Sequence, residues 1–540
     1  MNRSSTTKAG HYGRVFCLSF SPPSLSSRHR AIPERRDQTT TKTTENEEIT
    51  ITRILASAGE DDCCRLWTRD IMKESEDEII SKGKNFTRTT RTIFKAKSDL
   101  ATLRGHTDAI LKCEFGEKQH HNDGRRRNEC KTVSNDGEED REERYFALAT
   151  GSANGEVFVW DISISGEGDG TKLVGRFLAK TKRGRKDGLG DSVTNEDYRT
   201  DDDNSNNIED EDNNNNSNEV YGLKFLDDDR YLVVATDTEL IALSTVGVFG
   251  EEGNVVKNLE VITRIPLSFT LVDGDNTTKK DKFEMAYAFT MDAYKGGSSS
   301  AARLSNKHVI GVGYSNGTMR MYCFDVNESA FYLVGENESV FDNDYEIGRN
   351  RKNLACTSLA FINPTIENEN EEIPKVLLCN RFGVVAMTDT KNWIEKTHPR
   401  TNIQTDFALT HSLSDVGNGI VAMCGRIKSN NEDGIAIFDA YDVQRCMFLS
   451  ANDSMGANAS MHPLLCVSGY AEEDIENENK VKLTIVAAGG VPAKLVSESL
   501  SNKSNVKSLG FSLAKMMNEK DEGDGGNERT SPLYVWEISI

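Results

Sequence analysis

Short segments with alternating apolar and polar positions recur along the whole chain, separated by turns rich in glycine, asparagine and aspartate. Residues 54–67 (ILASAGEDDCCRLW) and 146–160 (FALATGSANGEVFVW) are the clearest of them. Because a period of two is typical of a half-buried strand, each segment is predicted to form two antiparallel strands joined by a tight turn. The pattern therefore indicates an all-β protein built from repeated hairpins.

Both segments end in tryptophan, and a Gly-His pair precedes each of them, Gly10-His11 before Trp67 and Gly105-His106 before Trp160. A unit that runs from Gly-His to Trp-Asp is the signature of a four-stranded propeller blade. Its histidine, hydroxyl, acidic residue and tryptophan can form a buried hydrogen-bonded chain. The predicted tetrads are His11, Ser57, Asp61 and Trp67, and His106, Thr150, Asn154 and Trp160, with asparagine in the place of aspartate.

A histidine, a hydroxyl and an aspartate are also the components of a nucleophile triad. Here the combination recurs at the same place in two repeats, which favours a structural role over a catalytic one. The chain also contains neither a G-x-x-x-x-G-K-[ST] phosphate loop nor an H-E-x-x-H motif. The sequence thus predicts a protein that is not an enzyme, with no catalytic residue, no metal and no cofactor.

Weaker copies of the hairpin pattern continue to the C-terminus and bring the number of blades to seven. The sequence predicts a single seven-bladed WD40-type β-propeller over residues 1–540. The predicted blades lie near residues 11–70, 103–163, 220–247, 283–327, 353–393, 405–448 and 463–540. Because a propeller must close its ring to avoid unpaired strand edges, residues 2–8 are predicted to supply the outer strand of the seventh blade.

Long polar segments interrupt this pattern, and they are too poor in apolar residues to offset the entropy of ordering. They are predicted to be disordered inserts at residues 24–48, 73–95, 118–143, 165–219 and 496–531. The formal net charge of −21 argues against a broad nucleic-acid surface. Much of the acidity lies in these segments, for instance at residues 201–212, so a local basic face is still compatible with the charge.

One basic cluster stands out, in the segment AKTKRGRKDG between the second and third blades. Its members are Lys180, Lys182, Arg183, Arg185 and Lys186. Such a cluster can contact an RNA backbone or act as a nuclear-import signal. It can equally be a solvated run of charge balanced by the acidic tract that follows it, and the sequence leaves these readings open.

The eleven cysteines contain no C-x-x-C pair. Six of them lie within apolar segments and are predicted to be small buried side chains in a reducing compartment: Cys17, Cys113, Cys356, Cys379, Cys424 and Cys466. The N-terminus is polar, and no apolar run approaches the roughly 18 residues of a membrane span. These features predict a soluble, cytoplasmic protein.

Several segments, in the same order, resemble the C-terminal propeller of the WD-repeat partner of the wobble-position tRNA ribose 2′-O-methyltransferase, the WD repeat-containing protein six family. The resemblance begins with GHYGRVFCLSF and ILASAGEDDCCRLW, where residues 57–61 are similar to that family's blade turn. It continues through GHTDAILKCEF, LATGSANGEVFVW and YLVVATDTELIALS, where residues 236–238 resemble a third-blade segment. HVIGVGYSNGTMRMYCF, TSLAF and LLCNRFGVVAMTD follow. Together the pieces cover about half of the chain.

The resemblance implies a non-catalytic scaffold that assists 2′-O-methylation of the tRNA wobble ribose by a separate methyltransferase. The partners it implies are that tRNA ribose methyltransferase and tRNA, with neither a membrane nor DNA among them. Members of that family carry more than one propeller, whereas the blades counted here form one.

A second hypothesis is a generic protein-interaction propeller, such as a substrate receptor of a ubiquitin ligase. Such receptors often carry Trp-Asp-x-Arg, but Ile162-Ser163 follows Trp160-Asp161, and Thr68-Arg69 follows Trp67.

Overall fold

A computed structural model describes the parts of the chain that form the blades. The described residues are 11–28, 48–68, 78–80, 88–94, 100–121, 144–165, 168–179, 218–249, 255–271, 284–295, 307–337, 341, 355–362, 375–389, 401–429, 432–440, 446–450, 463–473, 481–490 and 533–539.

Seven antiparallel sheets, each with at least four strands, form the described structure, and the all-β seven-bladed propeller predicted from the sequence is confirmed. Blade 1 contains β1 (Val15–Phe20), β4 (Ile54–Gly59), β5 (Cys63–Thr68) and β8 (Ala101–Arg104). Blade 2 contains β9 (Ile110–His121), β10 (Arg144–Ser152), β11 (Glu156–Ser165) and β12 (Gly168–Leu178). Blade 3 contains β13 (Val220–Leu226), β14 (Tyr231–Thr236), β15 (Glu239–Ser244) and β17 (Glu260–Pro266).

The later blades repeat this order of strands. Blade 4 contains β20 (Ala288–Lys295), β21 (Lys307–Tyr314), β22 (Met319–Asp325) and β23 (Ala330–Asn337). Blade 5 contains β24 (Cys356–Ile362), β25 (Lys375–Asn380), β26 (Val384–Asp389) and β27 (Thr401–Gln404). Blade 6 contains β28 (Phe407–Gly417), β29 (Ile420–Ile427), β30 (Asp433–Asp439) and β31 (Cys446–Ser450). Blade 7 contains β32 (Leu464–Glu473), β33 (Val481–Gly489), β34 (Leu533–Ser539) and β7 (Arg88–Phe94).

Short additional strands extend two of these sheets or form separate hairpins. β6 (Glu78–Ile80) pairs with β7, and β16 (Lys257–Asn258) runs parallel to β12. Two hairpins are formed by β2 (Ser24–Arg28) with β3 (Glu48–Thr52), and by β18 (Phe269–Leu271) with β19 (Glu284–Ala286). In these described ranges no helix is long and apolar enough to cross a membrane.

Parts of four of the five segments predicted to be disordered inserts form strands. Strands β2 and β3 lie at the ends of 24–48, and β6 and β7 lie inside 73–95. Strand β9 reaches His121 inside 118–143, and β12 lies inside 165–219. A polar outer strand needs only one hydrogen-bonded neighbour, so composition alone does not reveal it. The fifth segment, 496–531, lies outside the described residues.

Ring closure also differs from the prediction. Residues 2–8 lie outside the described residues, and the free edge of β34 pairs with β7, from Leu533 opposite Phe94 to Ser539 opposite Arg88. A segment inserted between the third and fourth strands of blade 1 therefore completes blade 7. The pairing covers the free edge of β34, as closure of the ring requires. The strand that does so comes from a different part of the chain than predicted.

The hydrophobic core lies between blades and not inside any one of them. Each of the seven core clusters among the described residues combines side chains of two neighbouring blades. The cluster between blades 7 and 1, for example, packs Trp67 and Leu55 against Val486 and Leu533. Every blade therefore depends on both of its neighbours to bury its faces.

The pairing of β7 with β34 predicts that a defect in β7 destabilises the whole ring. Neighbouring residues of a strand donate their amides to opposite sides, so Thr92→Pro with Ile93→Pro removes at least one amide that faces β34. We expect the free energy of unfolding, measured by urea denaturation, to fall by about 1 kcal/mol or more. Ser501→Pro with Asn502→Pro, outside the described strands, is the matched control. Equal stability of the two variants would contradict closure by β7.

Candidate functional site

The tetrad of blade 1 forms a continuous hydrogen-bonded chain. Trp67 Nε1 donates to Ser57 Oγ at 2.8 Å, and Ser57 Oγ lies 2.8 Å from His11 Nε2. His11 Nδ1 lies 2.7 Å from Asp61 Oδ1. With one proton on each donor, the chain runs from the indole through the hydroxyl and the imidazole to the carboxylate. The structure thus brings all four predicted residues together.

Asp61 is held in its ionised form by this chain. Burial alone would raise its pKa, but the hydrogen bond and charge of His11 and the charge of Arg65 outweigh burial and lower the pKa below its ordinary value. Arg65 Nη2 lies 3.1 Å from Asp61 Oδ2, and Tyr12 N donates to the same oxygen at 3.3 Å. The carboxylate therefore ties the loop before β1 to the turn between β4 and β5.

Blade 2 contains only part of the predicted tetrad. His106 Nε2 lies 2.7 Å from Thr150 Oγ1, to which Trp160 Nε1 donates at 2.9 Å. Asn154, however, donates to Thr107 Oγ1 and does not reach the histidine. Glu156 takes the position of the acid instead, since it accepts a hydrogen bond from Thr107 N at 2.9 Å and lies 3.5 Å from His106 Nδ1. The assignment of Asn154 to the tetrad is therefore corrected.

Neither tetrad has the surroundings of an active site. Ser57 is 0 % exposed, and its oxygen already receives the indole N–H, so no substrate carbonyl can approach it. Burial lowers the pKa of His106 to about 4, although Glu156 opposes the shift, so the imidazole is neutral near pH 7. The tetrads stabilise the first two blades at the end where the first strand begins.

A central channel of about 740 Å³ runs along the axis, lined by the first strands of all seven blades. Lys224 of blade 3 bridges two neighbours there, with Nζ 2.9 Å from Glu114 Oε1 of blade 2 and 3.2 Å from Asp292 Oδ1 of blade 4. Burial alone would lower the pKa of Lys224, but the charges of Asp292 and Glu114 outweigh it and raise the pKa. Because both carboxylates share one cation, this triad acts as a bridge between blades.

Three cysteine side chains donate hydrogen bonds between blades. Cys466 Sγ donates to Val15 O at 3.5 Å and joins blade 7 to blade 1, while Cys17 Sγ donates to Cys113 O at 3.5 Å and joins blade 1 to blade 2. Cys424 Sγ donates to Leu464 O and joins blade 6 to blade 7. Burial raises the pKa of Cys424 and of Cys466 well above the ordinary value, so these thiols stay protonated. Among the described residues no group of three or more His, Cys, Asp or Glu side chains could hold a metal ion.

Each blade has a bulge residue near the beginning of its first strand, which is the strand that lines the channel, and the seven together are here called the rim. The first strands all begin on one face, here called the upper face, and each has a register shift near its beginning that leaves one residue unpaired. These bulge residues are Phe16, Leu111, Tyr221, Phe289, Thr357, His411 and Leu465. Bulges re-aim side chains and are frequent beside binding sites. All seven side chains are at least partly exposed, which makes this rim the candidate interaction surface.

The glycines opposite two of the bulges permit this geometry. A Cβ on Gly489 would collide with the carbonyl oxygen of Pro463, and a Cβ on Gly425 would collide with that of Leu409. Both glycines lie at the upper end of a second strand, facing the beginning of a first strand. The missing side chain therefore lets the two strands approach closely at the rim.

Charge is distributed unevenly around the rim. An acidic arc extends over blades 1 to 3 and consists of Asp62, Asp108, Glu156, Glu219 and Asp237. On the other side, burial first and the charges of Arg381 and Arg426 after it lower the pKa of His411 to about 4. The carboxylates of the arc repel one another. Burial raises the pKa of Asp62, and the charges of Asp108 and Glu156 raise it further. One part of the rim is thus suited to a cationic partner and the other to an anionic one.

Among the residues of the acidic arc, Asp237 is the one whose pKa is raised furthest. Burial comes first and the charge of Glu219 second among the effects that raise its pKa to about 6, and its Oδ1 is buried with no hydrogen-bond partner. It lies in the turn between β14 and β15, within the residues 236–238 on which the sequence resemblance drew. A carboxylate whose ionisation is made unfavourable by its surroundings is typical of a binding site.

The basic cluster predicted to contact RNA lies outside the described residues. Its first member, Lys180, follows Ala179 directly, and Ala179 N donates to Gly155 O at 2.9 Å in the turn between β10 and β11. That turn belongs to the upper face. Ala179, the last described residue before the cluster, therefore lies on the same face as the rim.

The sequence does not match any protein-family model, nor does it match any curated protein. Among solved structures, the chain is similar to the crystal structure of Saccharomyces cerevisiae Sqt1, with 12 % sequence identity and a TM-score of 0.42. That similarity covers 91 % of this chain and 100 % of the other.

The tetrad of blade 1 predicts a large effect of one hydroxyl on stability. Ser57→Ala removes the hydroxyl that accepts the indole N–H of Trp67 and that lies beside His11 Nε2, which keeps only the carbonyl oxygen of residue 57 at 3.2 Å. Loss of the partner of a buried polar group costs about 1–3 kcal/mol, and we expect the free energy of unfolding to fall by about that amount in urea denaturation. A serine-hydrolase probe should label neither Ser57 nor Thr150. Unchanged stability, or labelling of either hydroxyl, would contradict the structural role.

The raised pKa of Asp237 predicts that removing its charge stabilises the fold at neutral pH. In the unfolded chain this carboxyl ionises near its ordinary value of 3.8, but in the folded chain only near 6, so its ionisation opposes folding as the pH rises through this interval. Asp237→Asn should therefore raise the thermal unfolding midpoint at about pH 7.5 and leave it unchanged below about pH 4. Asp61→Asn, at a carboxyl whose pKa is lowered, should have the opposite effect at neutral pH. A lower midpoint for Asp237→Asn at neutral pH would contradict this reading.

Proposed function

We propose that this chain is a non-catalytic WD-repeat scaffold in the cytoplasm that assists 2′-O-methylation of the tRNA wobble ribose by a separate methyltransferase. The single observation that carries the scaffold role is the rim of seven bulge residues on the upper face. A ring of partly exposed apolar and polar side chains around a preformed channel is typical of a protein-binding surface.

The methylation role draws its support from the ordered resemblance in the sequence. Residues 57–61 and 236–238 belong to that resemblance, and both segments form turns on the upper face. A partner bound at the rim would lie on the face where Ala179, the residue before Lys180, is found. The proposed arrangement places the methyltransferase on the propeller and leaves the basic cluster to contact tRNA.

The rim charges favour a protein partner over RNA on the acidic side. Phosphates would be repelled by Asp62, Asp108 and Glu156, whereas a basic protein surface would be attracted. RNA contact is therefore assigned to the basic cluster alone.

Mapping of wobble-ribose methylation in cells that lack this protein tests the proposal. We expect the modification to be lost and to be restored by the wild-type chain, and affinity capture to recover a ribose methyltransferase together with tRNA. Replacement of Lys180, Lys182, Arg183, Arg185 and Lys186 by Ser should keep the methyltransferase and reduce the recovered tRNA. A matched variant with Ser at Lys503, Lys507 and Lys515 serves as the control.

Normal methylation in the deleted cells would overturn the tRNA part of the proposal. Capture of a ubiquitin-ligase adaptor without RNA would instead support the alternative function, a substrate receptor. Unchanged tRNA recovery by the serine variant would show that the basic cluster does not contact tRNA and is only a solvated run of charge.

A further inference from the structure

A group of aromatic and acidic side chains lies on the rim where blades 3 and 4 meet. Tyr221 and Phe289 are the bulge residues of these two blades, and their rings contact each other edge to face, with centroids 5.5 Å apart at 84°. Phe289 is 41 % exposed and Tyr287 is 40 % exposed. Large aromatic side chains that stay in contact with water at a channel mouth indicate a surface that another molecule covers.

Backbone hydrogen bonds hold these aromatic residues beside Asp237. Ala288, which separates Tyr287 from Phe289, donates its amide to Asp237 O at 3.1 Å. Tyr287 N donates to Ser315 Oγ at 3.1 Å, and Ser315 N donates back to Tyr287 O at 2.9 Å. The turns of two blades therefore fix the position of the aromatic residues relative to the carboxylate, and the group is preorganised.

The negative charge of this group has no matching cation among the charges that act on it. The charged side chains that shift the pKa of Asp237 are Glu219 and Glu239, both acidic, and Glu239 is already bridged to Arg264 at 3.5 Å. The Tyr221 hydroxyl donates to the Glu219 carboxylate, which keeps this carboxylate beside the rings. Two carboxylates and three aromatic residues thus lie near one another, and none of the charges that act on Asp237 is positive.

We propose that Glu219, Tyr221, Asp237, Tyr287 and Phe289 form a pocket that binds an arginine or lysine side chain of a basic segment in a protein partner. The carboxylates pair with the cation, and the aromatic rings contact its face and its apolar stem. Binding supplies the missing charge and offsets the repulsion between Asp237 and Glu219. The inference rests on the scaffold role proposed above and does not depend on its tRNA part.

Direct binding of a peptide to the purified full-length chain tests the pocket. The probe is a fluorescent Gly/Ser peptide that carries alternating arginines, followed by fluorescence polarisation at low ionic strength. We expect saturable binding that weakens about tenfold in Phe289→Ala and in Asp237→Asn, as loss of a cation–π contact and of a charge pair imply. The same peptide with citrulline in place of arginine should not bind, because citrulline keeps the shape and removes the charge.

Two matched variants on the outer strands control for general effects of charge and aromatic loss. Glu328 accepts a hydrogen bond from the Tyr332 hydroxyl, as Glu219 does from Tyr221, but on the exposed side of blade 4. Phe448 on β31 is 39 % exposed, close to the value for Phe289. Glu328→Gln and Phe448→Ala should therefore bind the arginine peptide as the wild type does.

The readouts separate failure of the pocket from failure to fold and from failure of the methylation role. Asp237→Asn should lose affinity for the peptide while its unfolding midpoint at neutral pH rises, a combination that simple damage to the fold does not produce. Equal affinity of wild type and pocket variants, equal binding of the citrulline peptide, or competition by a single-stranded RNA oligonucleotide would each overturn the pocket. None of these results depends on whether wobble methylation is lost in cells.

Discussion

The packing of each blade against its two neighbours is the interaction on which the rest of this structure depends. Among the described residues every hydrophobic cluster is shared between adjacent blades, so no sheet buries its faces alone. The ring is stable only when it is closed, and the last interface, between blades 7 and 1, includes the fully buried Trp67 and Val486. Closure also explains why a strand from the middle of blade 1 is used at the edge of β34.

Polar contacts follow the same circular arrangement. Cys466, Cys17 and Cys424 donate across three blade interfaces, and the Lys224 bridge crosses two more. Arg53 of blade 1 lies over the Tyr470 ring of blade 7 at 4.4 Å. These contacts line the inside of the ring, where partly buried polar atoms need partners within the protein. Buried charges that elsewhere mark an active site are here used to connect blades.

The rim differs from this interior because its charges are not matched. In the channel Lys224 lies between Glu114 and Asp292 and pairs with both, whereas no cation pairs with Asp237 beside Glu219 among the charges that act on it at the rim. This repulsion between carboxylates occurs next to exposed aromatic residues, at the bulges that recur in every blade. Stability inside the ring and binding at its upper edge thus depend on opposite arrangements of charge.

The sequence alone determined the architecture and the polar chain of blade 1, because period-two alternation and the residues of one tetrad are local patterns. It did not reveal the fourth strands, since an outer strand such as β12 or β27 needs only one neighbour and has no distinctive pattern. The closing strand and Glu156, which replaces Asn154 beside His106, depend on contacts that form only when the chain is folded. Tertiary structure also decided the proposed pocket, because a bulge is a single unpaired residue and only the packing of blade 3 against blade 4 brings Tyr221 next to Phe289.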